Sequence, residues 1–251
     1  MKQGFTLAEA LITLGVVGIV AAMTVPVLIS NTNGAKYRSQ LKKTYSTLNQ
    51  AGLMAQAKYE FDYSGTNEVC PESPADGAKH SPEEVQSFCS LFNGTLLGAT
   101  YVGKVSNLKR TDSKNKNAEV AYSLATRETL PDNYEDFLAY VLPNGTLIAF
   151  HPEAKDCDLP IGRRPVQEVF TGTVQGVSLK NCVGFIDVNG VSLPNREVRC
   201  SSGENKVDGG SNCIVDNNAN RLLDVYPIVF HNATVEPASG AAQFVLDTSK
   251  I

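Results

Sequence analysis

The sequence predicts an α+β protein in which a long N-terminal helix, membrane-spanning in its first half and amphipathic in its second, packs on an antiparallel β-sheet. The first observation is an uncharged apolar run over residues 10–29. The second is a helical period over residues 36–59, and the third is a set of strand-like segments after residue 137. With 251 residues, 42% hydrophobic and 19% charged, the chain can form one core beyond this helix.

The apolar run has the length of a membrane span. About 20 residues cross a bilayer core of roughly 30 Å. A secretory signal peptide has a shorter apolar core followed by a small-x-small cleavage site, and this run is too long for that pattern. A plain signal anchor explains the length, but not Glu9, the one charged residue between Phe5 and Ile29. An ionisable side chain in such a segment usually marks a partner or a pathway.

The junction before the apolar run carries a family resemblance. Its residues read Gly4-Phe5-Thr6-Leu7-Ala8-Glu9, and Ala-Leu-Ile follows. This segment resembles the cleavage and methylation signal of the type IV prepilin and type II secretion pseudopilin superfamily. The resemblance is strong over residues 2–30 and fades beyond them. The leader is short, Met-Lys-Gln-Gly, with a single positive charge at Lys2.

The resemblance implies processing and assembly through the N-terminus. A prepilin peptidase is expected to cut between Gly4 and Phe5 and to methylate the new amine of Phe5. Glu9, with Thr6, is expected to act in assembly by docking each subunit against the N-terminus of a neighbour. Pro26 and Gly18 are the expected bend positions of the helix.

Charge and motifs exclude several function classes. The net charge of −4 and a pI near 5.5 predict no nucleic-acid partner. No nucleophile with a base, phosphate-binding glycine loop or catalytic carboxylate pair is recognisable, so we expect no enzyme and no catalytic residue. Lysines and an arginine at residues 36–43 follow the apolar run, and we expect them on a solvated helix face.

Six cysteines lie after the apolar run and predict disulfides in an oxidising compartment. Six cysteines allow 15 connectivities, and proximity in sequence favours pairing each with its neighbour. No C-x-x-C motif occurs, and the three histidines are scattered, so the spacing does not favour a zinc site. The candidate pairs are Cys70–Cys89, Cys157–Cys182 and Cys200–Cys213.

The second half of the stem has one apolar stripe. Its members recur every three or four residues, which predicts a helix face packed on a globular domain. Residues 30–34 (Ser-Asn-Thr-Asn-Gly) form helix weakly, and we expect a bend or local unwinding there. We expect the helix to end near Phe61. The stripe consists of Tyr37, Leu41, Tyr45, Leu48, Gly52, Ala55 and Tyr59.

The rest of the chain predicts a loop-rich head followed by strands. Residues 63–80 and 103–120 read as exposed loops. Ser81-Pro82-Glu83-Glu84 has the composition of a capping box and predicts a helix to about Phe92. Residues 138–142 and 146–150 predict a hairpin across Asn144-Gly145. Residues 183–188, 225–230 and 243–246 predict further strands of an antiparallel sheet of at least four strands.

Two segments carry candidate calcium ligands. The segment Ile186-Asp-Val-Asn-Gly190, followed by Pro194-Asn195, looks like a motif of pilin-like proteins, some of which bind calcium. Local Asx turns are the alternative. The second segment has oxygens at alternate positions, but Arg221 and Pro227 replace two residues that an EF-hand loop requires. The candidates are Asp187 and Asn189 in the first segment and Asp216, Asn218, Asn220 and Asp224 in the second.

These expectations divide the chain into a leader (1–4), a membrane and filament-core helix (5–30), an amphipathic stem (31–62) and a globular pilin-like domain with disulfide-linked loops (63–251). The implied function is a structural subunit of a type IV pilus-like filament or a type II secretion pseudopilus. Its implied partners are other pilins in a helical homo-oligomer, the prepilin peptidase, an inner-membrane assembly platform, and the membrane before assembly. No cofactor other than calcium is expected.

Localisation follows from the same model: a single pass through the inner membrane with a cytoplasmic N-terminus, then a periplasmic or extracellular filament. The cysteines and the size favour an exposed pilus subunit, whereas Thr24-Val-Pro-Val-Leu28 resembles the pseudopilin form of the helix. Both stay open. The alternative function is a membrane-anchored extracellular binding module that does not polymerise.

Overall fold

The architecture is α+β, with one long helix leading into a sheet-based head. The computed structural model describes residues 7–160, 173–174, 177–207, 212–215 and 222–248, without the side chains of residues 26–32, 173–174 and 177–178. The helices are α1 (Leu7–Tyr59), α2 (Pro74–Gly77), α3 (Phe88–Thr95) and α4 (Gly240–Asp247). The strands are β1 (Thr100–Lys104), β2 (Lys109–Thr111), β3 (Glu119–Ala121), β4 (Leu138–Val141), β5 (Leu147–Phe150), β6 (Thr173–Val174), β7 (Val177–Ser178), β8 (Val183–Asp187), β9 (Cys200–Ser202), β10 (Ile214–Val215), β11 (Val225–His231) and β12 (Thr234–Pro237).

Helix α1 is one unbroken element of 53 residues, about 80 Å long at 1.5 Å per residue. The local unwinding expected at residues 30–34 is wrong, because helical backbone hydrogen bonding continues through them. Weak intrinsic propensity in a few residues is readily overridden by helix on both sides. The apolar stripe is confirmed: Leu41, Leu48 and Ala55 are completely buried, and the other members are buried or half-buried.

The central sheet has six strands in the order β1-β4-β5-β8-β11-β12, and every neighbouring pair is antiparallel. The predicted β4–β5 hairpin is confirmed, with Leu138 opposite Phe150 and Gly145 in the turn at a φ of 85°. Strands β8 and β11 also lie where the sequence predicts strands. Strands β1 and β12 were not expected, since β1 contains a bulge at Gly103 and β12 ends in a proline that suits an edge.

An aromatic cluster joins the helices to the sheet. The ring of Phe88 on α3 lies 5.4 Å from that of Phe150 on β5 and 5.1 Å from that of Phe230 on β11, centroid to centroid. Tyr63, just after α1, lies 5.1 Å from Phe230 and donates its hydroxyl proton to the Leu48 carbonyl. The end of α1 is therefore fixed to the sheet through α3.

Two predicted elements are wrong. The expected helix from Ser81 begins later, because the Gln86 carbonyl accepts hydrogen bonds from the Asn67 and Glu68 amides and holds the chain out of a helix. The capping box instead joins Ser87 and Ser90 at the start of α3. Residues 243–246 belong to helix α4 rather than to a strand. A short apolar run does not distinguish the two, and Ser239 caps the helix by accepting the Ala242 amide.

The two predicted loops contain short regular elements. Residues 63–80 include α2, and residues 103–120 include the hairpin of β2 and β3. The second segment also contains the end of β1 and a 3-10 turn at Val105–Asn107, and the rest of both segments is irregular and largely exposed, as expected from their composition.

Three disulfides confirm the pairing of neighbouring cysteines. The bonds are Cys70–Cys89, Cys157–Cys182 and Cys200–Cys213, with Cα–Cα distances of 5.7, 5.6 and 5.3 Å. The first fixes α3 to the loop before α2. The second joins the loop after β5 to the start of β8, and the third joins β9 to the segment before β10. Each stabilises the head by about 2–4 kcal/mol, mainly by restricting the unfolded chain.

Candidate functional site

The N-terminal part of α1 is the first candidate site. Residues Leu7–Val25 form a 19-residue segment of mean hydropathy 2.0, and none of it is buried within the protein. Large apolar side chains point outward on all sides of the helix: Leu7, Leu11, Ile12, Leu14, Val16, Val17, Ile19, Val20 and Met23 are all more than half exposed. A helix that is apolar all round requires an apolar environment, such as a bilayer or neighbouring helices. One span of this kind is consistent with single-pass anchoring.

The assembly residues expected from the resemblance lie at the start of this segment. Glu9 is in the first turn of α1 with an exposed side chain, and Thr13 donates its hydroxyl proton to the Glu9 carbonyl at 2.9 Å. Gly4, Phe5 and Thr6 lie outside the described residues. Gly18 is helical, and a Cβ placed on it has no atom within 4 Å beyond the adjacent residues and the nearby backbone of its own helix. Pro26 lies within the helix; the bend at these two positions stays a prediction.

A buried polar cluster at the other end of the exposed segment is the second candidate site. We call Asp187, Asp224, Tyr122, Asn189 and Tyr37 the neck cluster. Asp187 ends β8 and Asp224 immediately precedes β11, and both side chains are completely buried. Antiparallel pairing places Val225 opposite Asp187, which brings the two carboxylates onto the same end of the sheet.

Each carboxylate of the neck cluster receives hydrogen bonds. The Tyr122 hydroxyl donates to Asp187 Oδ2 at 2.7 Å, and the backbone N–H of Asn189 donates to Asp187 Oδ1 at 3.2 Å. The two oxygens of Asp224 accept from the backbone N–H groups of Asn195, at 2.9 Å, and Arg196, at 2.6 Å. The Asp187 carboxylate thereby fixes the turn after β8, and the Asp224 carboxylate holds residues 195–196 beside the start of β11.

Burial also changes the acidity of the pair. Removal from water raises the pKa of Asp224 to about 6 against the opposing effect of its hydrogen bonds. The pKa of Asp187 is raised well above its usual range, first by burial and then by the charge of Asp224. Because the two carboxyls repel when both are ionised, we expect the pair to retain a proton at pH values where isolated aspartates are ionised.

The cluster joins the head to the stem. Asn189 donates its side-chain N–H to the Tyr37 hydroxyl on α1 at 3.1 Å and to the Leu193 carbonyl at 3.0 Å. Among the residues whose side chains are described, Tyr37 is the first buried residue after the exposed segment of α1. The neck cluster therefore lies where the helix enters the head.

The calcium candidates within the neck cluster take part in hydrogen bonds. The carboxylate oxygens face N–H and O–H donors, and the Asn189 amide nitrogen rather than its oxygen contacts Tyr37. Among the described residues, no group of three or more His, Cys, Asp or Glu side chains is placed to hold a metal ion. Asp216, Asn218 and Asn220 lie outside the described residues. Calcium binding stays a prediction.

The sequence pointed to Asp187 and Asp224 separately, as members of two candidate loops, and did not predict that they meet. It also gave no role to Tyr122, which is 65 positions from its acceptor Asp187. The pairing register of β8 with β11 brings the aspartates together, and no local motif encodes that register. A buried aspartate at the end of one strand and another at the start of a second was the available signal.

Comparison of the chain with protein-family models, with curated proteins and with solved structures finds no match in any of the three.

Proposed function

We propose that this protein is a structural subunit of a pilin-like filament, either a type IV pilus or a type II secretion pseudopilus. The observation that carries the proposal is the division of α1 into two chemically distinct halves. Its first half exposes apolar side chains on every side, and its second half is embedded in a disulfide-bonded α+β head. A subunit that leaves the bilayer to pack its stem against copies of itself requires this division.

Glu9 supplies the specificity of assembly in this proposal. A carboxylate placed among apolar helices is costly unless a cation neutralises it. Cleavage between Gly4 and Phe5 creates a positive α-amino group only four residues before Glu9, and the same group on a neighbouring stem is the proposed partner. Thr6, between these two charges in sequence, is assigned to the same contact.

The proposed cellular route follows from the order of these segments. The uncut chain lies in the inner membrane as a single span, with its N-terminus in the cytoplasm and its cysteine-bearing head outside. Prepilin peptidase and an inner-membrane assembly platform are the proposed partners before polymerisation. Other pilins are the partners afterwards. The route uses the stem and the head surface and requires no catalytic group.

Mass spectrometry of the protein from its native membrane tests processing. We expect the mature chain to lack Met1–Gly4 and to carry one methyl group on the nitrogen of Phe5. A chain that retains Met1, or that is cut after Ala22, contradicts the proposal. A retained Met1 with normal export supports the alternative of a membrane-anchored binding module that does not polymerise.

Replacement of Glu9 tests assembly. Glu9→Ala is expected to leave membrane insertion and processing intact. It is expected to remove most of the filament that is recovered by shearing from the cell surface or from the periplasmic fraction. Glu84→Ala is the matched control, because Glu84 is an exposed carboxylate of the head. Equal filament yield from the two variants removes the docking role from Glu9.

A further inference from the structure

A polar pocket opens at the end of the sheet that is farthest from the neck cluster. We call it the distal pocket; its volume is about 510 Å³. Val183, the first residue of β8, lines it, whereas Asp187 at the other end of β8 belongs to the neck cluster. Lys104 at the end of β1 and His151 just after β5 lie at the same edge, because antiparallel pairing places these strand ends together.

The walls of the pocket are fixed by the fold. Pro152 and Glu153 belong to the loop that leads to Cys157, and Lys180 and Asn181 directly precede Cys182, so the Cys157–Cys182 disulfide joins two of its walls. The side-chain amide of Asn181 donates to the Glu153 carboxylate across this join at 3.1 Å. A cavity of this size with covalently joined walls is largely pre-formed for a small ligand.

Lys104 forms ion pairs with two carboxylates of the pocket lining. Its ammonium lies 3.0 Å from a Glu72 carboxylate oxygen and 3.5 Å from an Asp136 carboxylate oxygen. Each carboxylate has acceptor capacity beyond this contact. Because the lysine is already shared between two acids, this wall is poorly suited to a free anion and offers paired donors and acceptors instead.

His151, half-buried in the pocket lining, has a defined tautomer. Its Nδ1 accepts the Glu153 backbone N–H at 3.2 Å, so the proton of the neutral imidazole lies on Nε2. Burial lowers the pKa of His151, which favours this neutral form. The centroid of the His151 ring lies 5.4 Å from that of the Phe137 ring, and this packing contact restricts the orientation of the imidazole.

The remaining lining adds hydrogen-bonding groups and a small apolar surface. Lys180 is exposed and forms no ion pair with any described residue, and Asn133 is exposed beside it in the lining. Pro131 and Pro152, both half-buried, supply most of the apolar part, since Val183 is almost completely buried. Lysines contribute two positive charges to the lining and acidic residues three negative ones, so with a neutral histidine the lining carries one net negative charge.

We propose that the distal pocket binds a neutral saccharide. Sugar hydroxyls both donate and accept, which matches the alternation of carboxylates, amides, lysine ammonium groups and an imidazole N–H around this pocket. The C–H faces of a sugar ring match the two half-buried prolines. A purely apolar ligand leaves the polar lining unpaired, and an anion meets a net negative wall. The inference concerns the head alone and holds whether or not the chain forms filaments.

Saturation-transfer NMR on the full-length protein tests this site. The protein is held in phosphocholine detergent micelles, because a maltoside detergent presents a competing sugar. The probes are glucose, galactose, mannose and N-acetylglucosamine, with glycine and glutamate as zwitterionic and anionic competitors. We expect saturable transfer to at least one sugar, with a Kd on the order of millimolar.

Variants locate the binding. Lys180→Ala and Asn133→Ala change exposed side chains and are expected to weaken sugar binding about tenfold each, the size of one hydrogen bond to a ligand. Lys109→Ala is the matched control, since Lys109 is exposed on β2 and outside the pocket lining. It is expected to bind as the unaltered protein does.

Three outcomes overturn the proposal. They are the absence of saturable transfer to any of the four sugars at concentrations up to roughly 100 mM, sugar binding that neither pocket variant weakens, and binding of glycine or glutamate in preference to sugars. The last outcome assigns the pocket to an amino acid.

Discussion

The two halves of α1 have the same backbone and opposite surroundings. Between Leu7 and Val25 every face of the helix is apolar and exposed, whereas from Tyr37 to Tyr59 a single stripe is apolar and buried. The helix is continuous between them. The difference shows that the environment of a helix is encoded by how its apolar residues are distributed around the axis, more than by how many there are.

The comparison also separates two kinds of stability. The second half of α1 contributes to the core of the head, so changes there alter the free energy of unfolding. The first half is not buried against the head, so changes there are expected to affect insertion or assembly and leave the head unchanged. The following predictions test this separation in order of decreasing effect.

The largest effect is expected from truncating a leucine on the buried stripe. Leu48→Ala removes a completely buried side chain and is expected to lower the free energy of unfolding of the head by about 2–5 kcal/mol. Leu14→Ala, in the exposed half, is expected to change it by less than about 0.5 kcal/mol. Urea unfolding of the full chain in micelles, followed by tyrosine fluorescence because the chain has no tryptophan, measures both. Equal losses contradict the division of the helix.

Two glycines of α1 provide a matched pair. A Cβ on Gly52 lies 2.6 Å from the Ala233 carbonyl oxygen, so Gly52→Ala forces the β11–β12 turn away from the helix. We expect a loss of about 1–3 kcal/mol in the free energy of unfolding. Gly18→Ala adds a methyl group with no atom within 4 Å beyond the adjacent residues and the nearby backbone of its own helix, and is expected to leave the head unchanged. A loss from Gly18→Ala in the same unfolding assay indicates that the first half packs on the head.

The neck cluster predicts a dependence of stability on pH. Because the folded-state pKa of Asp224 is raised from 3.8 to about 6, its stabilising contribution is fully present below about pH 3.8 and is lost as pH rises through about 6. The raised pKa of Asp187 acts in the same direction and extends the loss to higher pH. Stability of the head is therefore expected to fall between pH 4 and pH 8.

Asp187→Asn tests this dependence. The amide retains an acceptor for the Asn189 backbone N–H and can donate to the Tyr122 oxygen, while one buried charge is removed. The variant is expected to be more stable than the unaltered protein at pH 8 by on the order of 1–2 kcal/mol, with a flatter pH profile. Asp158→Asn, an exposed aspartate, is the control and should preserve the original profile. An unchanged slope in Asp187→Asn contradicts a contribution of Asp187 to the pH dependence.

The smallest effect is expected at the junction of stem and head. Tyr37→Phe removes the hydroxyl that accepts from the Asn189 side chain and is expected to cost about 0.5–1.5 kcal/mol. Hydrogen exchange of the backbone amides of residues 37–41 measures local opening at this point. We expect the substitution to accelerate exchange more at residues 37–41 than at residues 48–55. Equal acceleration along the stem indicates global destabilisation instead.

Local patterns predicted the elements that depend on local chemistry. The apolar stripe of α1, the Asn144-Gly145 hairpin and the three neighbouring disulfides were all predicted and are all present. The capping box at Ser81 and the strand at residues 243–246 were wrong. In the first case a distant backbone pairing at Gln86 redirects the chain, and in the second an apolar run suits either helix or strand.

The sequence by itself determined where the helix changes its surroundings, because the distribution of apolar residues around a helix is a local property. Proximity in sequence also favoured the three disulfide pairs that the structure contains. Only the tertiary structure decided that Asp187 and Asp224 meet beside Tyr37, and that the opposite strand ends form the distal pocket. Both depend on the register of β8 with its neighbours, which is set by packing across the whole sheet.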